Sequence, residues 1–320
     1  MVSLRKITRA REFSVACALI LLCVIMSFAS PYFFGTQNLF NVLRNMSTVA
    51  IISVGVTMVI ITGGIDLSVG SVLAVSSMFS ARLMWEGLPP AFAFVAGLLF
   101  GLALGLFNGF IITKIKVNAF ITTMGMMSIA RGLTYYLATG VKGAVASNIP
   151  FDEPILNFLG SGYLWVVPMP VISTIVLVAI ATYFLRNTVT GRQIYAVGSN
   201  IEAARLSGIK VERVQLFVYG LAGVMAAYAG ILNAGLLATA ATNAGSGTEL
   251  DVVAAVIIGG ASLAGGSGTI YGAVLGACIM ALLRNAFVLL HLPAFIQTIT
   301  IGVVLILAVA SDGLRGGKKS

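Results

Sequence analysis

R-N-T-V-T-G-R-Q-I-Y-A-V-G-S-N-I-E-A-A-R-L-S-G-I-K-V-E-R, residues Arg186–Arg213, is the one long polar stretch in a chain otherwise made of apolar residues and glycine. It holds five of the nineteen basic residues and two of the ten acids. Apolar segments end before it and resume after it. The stretch therefore belongs in water beside a bilayer, and the chain around it belongs in the bilayer. Ser199 and Glu202 have the S-x-x-E spacing of a capping box, in which each side chain satisfies a backbone N–H that the first helical turn leaves orphaned. Glu202 in the first turn and Arg205 in the last suit the helix dipole. Gly208 supplies a residue that tolerates a left-handed stop. The expected element is about two turns of helix, roughly 12 Å long. So short a surface helix gains little by packing on its own chain, and it reads as a handle for a partner.

The composition bounds the rest. The chain has 320 residues, 59% of them hydrophobic and 9% charged, and its mean hydropathy is +1.04. No soluble domain of this length has that make-up. The expected class is an all-α polytopic membrane protein, a single integral domain over residues 1–320. A net charge of +9 raises the question of nucleic acid. The bases cluster between apolar runs, however, where the positive-inside rule puts them, so no nucleic-acid partner is expected. Cys17, Cys23 and Cys278 all lie inside apolar segments and read as small packing residues, with no disulfide or metal site.

The first apolar run, 13–29, follows Arg5, Lys6, Arg9 and Arg11. A cleaved signal peptide looks similar, but Pro31 and bulky aromatics follow at once, so the run is taken as a membrane helix. Further runs lie at about 42–62, 67–85, 91–113, 117–138, 169–186, 214–237, 248–264, 269–290 and 294–311. Most reach the ~20 residues a spanning helix needs. Ten spans put both termini on one side, the cytoplasm. That side then holds fourteen of the nineteen bases, including Lys114, Lys116, Arg315, Lys318, Lys319 and the polar stretch at about 186–213. The long outer loop, about 139–168, carries Asp152, Glu153 and a single base.

Two glycine-rich turns interrupt the pattern: T-G-G-I-D-L-S-V-G-S at Thr62–Ser71 and I-G-G-A-S-L-A-G-G-S-G-T at Ile258–Thr269. Each follows a Val/Ile-rich run ending in Gly-Gly, as a duplicated helix-break-helix unit would. Asp66 is the sharpest membrane charge, at ~2.5–3.5 kcal/mol near a helix centre. It reads as an N-cap for the helix from Leu67, with Ser68 and Ser71 helping to satisfy the break. A break of that kind also offers hydroxyls and dipole ends to a polar solute, so Gly64, Asp66, Ser68 and Ser71 are path candidates. Asn108, Thr122, Thr123, Asn233 and Asn285 are uncharged polar groups within spans, fit either for gluing helices or for lining a path. Thr248 and Asp251 form a second box-like cap, with Glu249 between them. Arg131 and Arg284 would snorkel to the outer headgroups. Together with Arg44, Arg82 and Lys142 they are candidates for greeting an acidic external partner.

Enzyme signatures fail. Gly265–Gly268 lacks the Lys-Ser/Thr of a phosphate loop, and His291 is the one histidine, without a carboxylate cluster at metal-ligand spacing. No cofactor and no catalytic residue are expected.

G-I-D-L-S-V-G-S (Gly64–Ser71), A-F-I-T-T (Ala119–Thr123) with A-R-G (Ala130–Gly132), G-R-Q-I-Y-A-V-G-S-N-I-E-A-A-R-L-S-G-I (Gly191–Ile209) and Glu249–Thr269 resemble the ribose/xylose-type permease family of bacterial ABC importers. The match runs nearly end to end. The resemblance implies a multi-pass inner-membrane subunit of about ten helices that works as a pair with a second copy of itself. It would take a monosaccharide from a periplasmic binding protein and be driven by a separate ATP-binding subunit. It further implies that Ser199, Glu202, Ala203, Ala204, Arg205 and Gly208 belong to the E-A-A loop that couples to that subunit. The second half of that motif, Ile-x-Leu-Pro, is absent; Val218 onward stands there. Asn118 stands in V-N-A-F where many members of that family carry Pro. Two other functions remain open at this stage. A permease of the same superfamily could carry branched-chain amino acids or nucleosides. An ion-coupled secondary transporter would need several buried carboxylates, and Asp66 is the clear one.

Overall fold

The computed structural model describes residues 2–140 and 147–316. Among them the chain is almost entirely helical: α1 (Val2–Ala29), α2 (Thr36–Ile61), α3 (Val69–Trp85), α4 (Pro90–Phe110), α5 (Ala119–Ala138), α6 (Pro154–Ser161), α7 (Met169–Asn187), α8 (Val189–Ser199), α9 (Ile201–Leu206), α10 (Val211–Leu237), α11 (Thr248–Ile258), α12 (Ile270–Leu289) and α13 (Ala294–Gly316). Six are long and apolar enough to cross a membrane: α1 from Glu12, α2, α4 with its extension to Ile115, α7, α10 and α12. Val69–Trp85 and Ala294–Ala310 are shorter apolar helices. The chain is a multi-pass membrane protein.

Helix ends fall where the chemistry puts them. Asn118 caps α5, its Oδ1 accepting the Phe120 N–H at 2.9 Å. It satisfies one of the N–H groups that the first turn leaves without a partner. Before it, α4 runs into a π-helical turn, Ile111–Ile115, that stops at Lys116 in the left-handed region. After Ile61, the Gly63 N–H bonds the Ile60 carbonyl and the Gly64 N–H bonds that of Val59. After Ile258, Gly260 N–H to Ile257 and Ala261 N–H to Val256 repeat the same offsets. Both are Schellman stops, with Gly63 at φ 80° and Gly260 at φ 96°. The two glycine turns share a cap as well as a sequence pattern.

α2 and α10 form the centre. α10 packs against α4, α2 and α3, and α2 also against α12, α11 and α7. Glycine makes the closest of these contacts possible. Gly97, Gly101, Gly105 and Gly109 recur every fourth residue along α4, and a Cβ at Gly101 would lie 2.5 Å from the Ala227 side chain of α10. Without a hydrophobic drive between helices in lipid, such backbone approach is what holds them.

The described part of the outer loop, residues 147–168, holds more secondary structure than its composition suggests. It contains α6 and a strand β1 (Ile149–Pro150) that pairs antiparallel with β4 (Thr239–Ala240), Ile149 opposite Ala240. A hairpin of β2 (Tyr163–Leu164) and β3 (Val167–Pro168) follows. These elements close the end of the bundle opposite α8–α9, called here the far end.

Candidate functional site: a short arm seated on two helix breaks

Between α7 and α10 the polar stretch forms two helices, where sequence spacing pointed to one. α8 begins at the Thr188 cap, whose Oγ1 accepts the Gly191 N–H at 3.0 Å. It runs on through Ser199, which corrects the expected capping box: the Ser199 hydroxyl donates back to the Tyr195 carbonyl. The cap of α9 is Asn200, whose Oδ1 accepts the Ala203 N–H at 2.9 Å. Glu202 and Arg205 pair at 3.5 Å, and Arg205 reaches Glu212 at 3.6 Å. Gly208 ends the arm in the left-handed region at φ 81°. On α9 only Ala204 is buried; Glu202, Ala203, Arg205 and Leu206 face out, Leu206 with 89% of its surface exposed.

α8, in contrast, is not a wet connector. Ile194 and Val197 are fully buried. Gly198 lies so close to the Ile61 carbonyl at the end of α2 that a Cβ there would overlap it. The second turn arrives at the same place: the Gly266 N–H bonds the Ile61 carbonyl at 2.8 Å, and Tyr195 Oη donates to the Gly268 carbonyl at 2.8 Å. The helix behind the handle thus touches both glycine breaks at once.

The first break has its own polar network. Asp66 is buried, and its Oδ1 accepts the Ser68 N–H at 2.9 Å and the Ser68 hydroxyl at 2.6 Å. The helix starts two residues later than expected, at Val69 after Ser68. Asp66 therefore braces the approach to the helix from two residues upstream of the cap. Asn108 of α4 donates to Ser68 Oγ at 3.0 Å. The Ile65 carbonyl accepts from Tyr219 Oη of α10 at 3.3 Å and from Thr123 of α5 at 3.4 Å. Tyr219 escaped the sequence reading, although its hydroxyl, buried in an apolar helix, needs a partner. Gly64 leaves room for it: a Cβ there would sit 2.5 Å from the Tyr219 oxygen.

The other path candidates lie elsewhere. Thr122 bonds back to Asn118 on its own helix. Asn285 exchanges two amide hydrogen bonds with Asn38, tying α12 to α2. Asn233 is half-buried on α10. Ser71 lines a cleft of about 470 Å³ with Arg131 and Glu249.

At the far end the arginines do not snorkel. Arg44 donates to the Ser161 carbonyl and lies 4.9 Å over the Tyr163 ring. Arg82 bonds Glu86 at 2.6 Å and the Thr139 carbonyl at 3.1 Å. Arg131 donates to the Thr242 and Ala244 carbonyls at 3.1 and 2.8 Å. Arg284 contacts buried Asp251 at 2.5 Å, so Asp251 serves an ion pair and not the expected cap. Gly247, at φ 79°, precedes α11 with no side-chain cap. All four are half-buried, and charge-assisted hydrogen bonds or ion pairs to protein acceptors hold their guanidinium groups in place. Lys142, Lys318 and Lys319 lie outside the described residues.

Residues 38–309 match the family described as branched-chain amino acid transport system / permease component. The chain is 39% identical over 302 residues to the ribose import permease protein RbsC of Haemophilus influenzae, covering 94% of this chain and 93% of that protein. It is 42% identical over 299 residues to the protein of the same name from Escherichia coli (strain K12), covering 93% and 92%. Its shape resembles a solved inward-facing metal-chelate type ABC transporter, with a TM-score of 0.50 over 98% of this chain and 100% of that one, at 14% identity. That likeness concerns the fold alone. A bundle of membrane helices with broken spans and a short exposed arm, matched over nearly its whole length, belongs to the branched-chain amino acid transport system / permease component family.

Proposed function

We propose that this chain is the membrane subunit of an ATP-driven importer in the bacterial inner membrane, passing a monosaccharide of the ribose or xylose kind from a periplasmic binding protein to the cytoplasm. The observation that carries the reading is α9, an exposed helix with Glu202, Arg205 and Leu206 outward, continuous with a helix locked onto both breaks. A separate ATP-binding subunit pushes on that arm, and the push reaches the turns at 62–68 and 259–269 directly. Hydrolysis belongs to that subunit.

In this reading α1–α5, α7 and α10–α13 make ten spans. The 11-residue α11 completes its crossing with the turn that follows it. Both termini and the arm are cytoplasmic. A second copy packs along α5, where Gly125 and Gly132 have open space beside them and a close helix contact is available. The binding protein docks on the far end, which Arg44, Arg82, Arg131 and Arg284 frame and to which Lys142 adds charge. The two relatives named above, matched over more than nine-tenths of both chains, are named for ribose, which favours a sugar. The family description names branched-chain amino acids, so leucine is the competing cargo.

The test is reconstitution with the ATP-binding subunit and binding protein, comparing ATP-dependent uptake of D-ribose and L-leucine. Glu202→Lys reverses the charge on the arm and removes its pairing with Arg205. It is expected to cut uptake about tenfold or more, since buried interfacial charge changes cost ~2–5 kcal/mol, with the amount of folded permease unchanged. Wild-type uptake by this variant would remove the arm from the mechanism.

A further inference from the structure

The hairpin of β2 and β3 carries a side chain that its own fold does not use. Tyr163 stands opposite Pro168 and Leu164 opposite Val167, so Trp165 and Val166 make a two-residue turn. The favoured turns of that length hold their first central residue at positive φ, where glycine, asparagine or aspartate is usual. Here the residue is Trp165, at φ 59° and 93% exposed. A bulky side chain kept in the left-handed region, with almost none of its surface packed on the protein, calls for a contact outside the chain. Leu164 and Val166 beside it are exposed as well, and residues 154–171 carry no charge.

The neighbours of the hairpin fix its depth. Pro168 leads straight into α7, so the hairpin ends where a membrane span begins. Tyr163 packs edge-on against Phe40 at 5.4 Å and lies under the Arg44 guanidinium. Phe40 and Arg44 stand in the second and third turns of α2, roughly 6–12 Å along the helix from its start. The hairpin therefore stands beside the spans, near their far ends, and not on top of the bundle. Below it α7 exposes Ile175, Val176 and Ile180 to the acyl chains, and the hairpin tip carries that apolar surface toward the headgroups. At the same end of α2 the Tyr32 and Phe34 rings are exposed too. Tryptophan and tyrosine gather at this depth because the ring is apolar while its N–H or O–H still reaches polar groups.

We infer that the 163–167 hairpin is an interfacial anchor, with Trp165 inserted among the lipid headgroups and upper acyl chains of the leaflet at the far end. The indole N–H donates to a lipid ester or phosphate oxygen, and Leu164 and Val166 lie against the chains. A soluble partner is the poorer fit. Interfaces with soluble proteins carry a polar rim, whereas Leu164–Val167 hold no charge and a single side-chain donor, the indole N–H. The inference needs only that the chain spans a membrane, and it holds whatever solute the chain carries.

The chain has two tryptophans, Trp85 and Trp165, so in Trp85→Phe the emission comes from Trp165 alone. The full-length permease is placed in phosphatidylcholine liposomes in which part of the lipid carries bromine high on the acyl chain or near its end. The emission is expected to lie blue of tryptophan in water and to respond weakly to acrylamide. The shallow bromines should lower it about twofold, and the deep ones less, as an interfacial ring requires. Emission quenched freely by acrylamide and untouched by either bromolipid would overturn the anchor. So would protection that appears only when the periplasmic binding protein is added, with the signal of the Trp85→Phe/Trp165→Phe double variant subtracted, because the tip would then be a protein-docking site. Trp165→Gly separates anchoring from folding. Glycine suits the positive φ and little packing is lost, so the thermal midpoint in detergent is expected at or above the wild-type value. A lower midpoint would mean that the ring serves the fold, and would overturn the proposal.

Discussion

Asp66 shows how a residue can be legible by type and still be misplaced in detail. An acid between Ile65 and Leu67, next to a serine, announces a break, because a carboxylate in an apolar run must find donors. The donors are the N–H and hydroxyl of Ser68, at 2.9 and 2.6 Å. Asp66→Asn keeps an Oδ1 acceptor and is expected to fold and transport near the wild-type level. Asp66→Leu leaves the Ser68 N–H without its partner, a loss on the order of 1–3 kcal/mol, and frees the hydroxyl that Asn108 also uses. Thermal unfolding of the detergent-solubilised permease distinguishes them; equal midpoints would mean the carboxylate does not brace the break. Ser199 is the complementary case. Ser199 and Asn200 both cap well, and box spacing favours the first. The backbone picks the second, because α8 continues helical through Ser199.

α8 is the element that hydropathy hid. It carries Arg192, several uncharged polar residues and two glycines, and so reads as a connector. Its buried side, Ile194 and Val197 with Gly198, has helical spacing, but an eleven-residue helix offers too few repeats for the pattern to stand out. Gly198→Ala is expected to push α8 off the Ile61 carbonyl. Overpacking of this kind costs about 1–3 kcal/mol, and here the obstacle is backbone. Gly208→Ala meets open space and costs only the ~1–2 kcal/mol of a left-handed alanine. Amide exchange separates the two. The Gly266 N–H, bonded to Ile61 at 2.8 Å, should exchange faster in Gly198→Ala and at the wild-type rate in Gly208→Ala. If both behave alike, α8 does not grip the second turn.

The two ends of the bundle face opposite aqueous phases in the proposed arrangement. One end presents α8–α9 and both glycine turns; the other presents α6, the short strand pairs and the arginine frame. A cysteine at Glu202 should react with a membrane-impermeant thiol reagent only from the cytoplasmic side. A cysteine at Asn157, in α6, should react only from the periplasmic side. Reaction of both from one side would overturn the topology and with it the route by which an ATP-binding subunit reaches the arm.

Membrane residence, the helical build, the exposed arm and its glycine stop could all be read along the chain. They rest on local physics: the hydropathy of a window, the spacing of a cap, the tolerance of glycine for positive φ. The junction of Ile61 with Gly198 and Gly266, the joining of Asn108 and Tyr219 to the first break, the inward turn of the arginines and the cleft at Glu249 were settled only by the folded bundle. Each joins residues far apart in sequence. In lipid, where every helix is apolar on all sides, linear pattern holds little record of which faces meet.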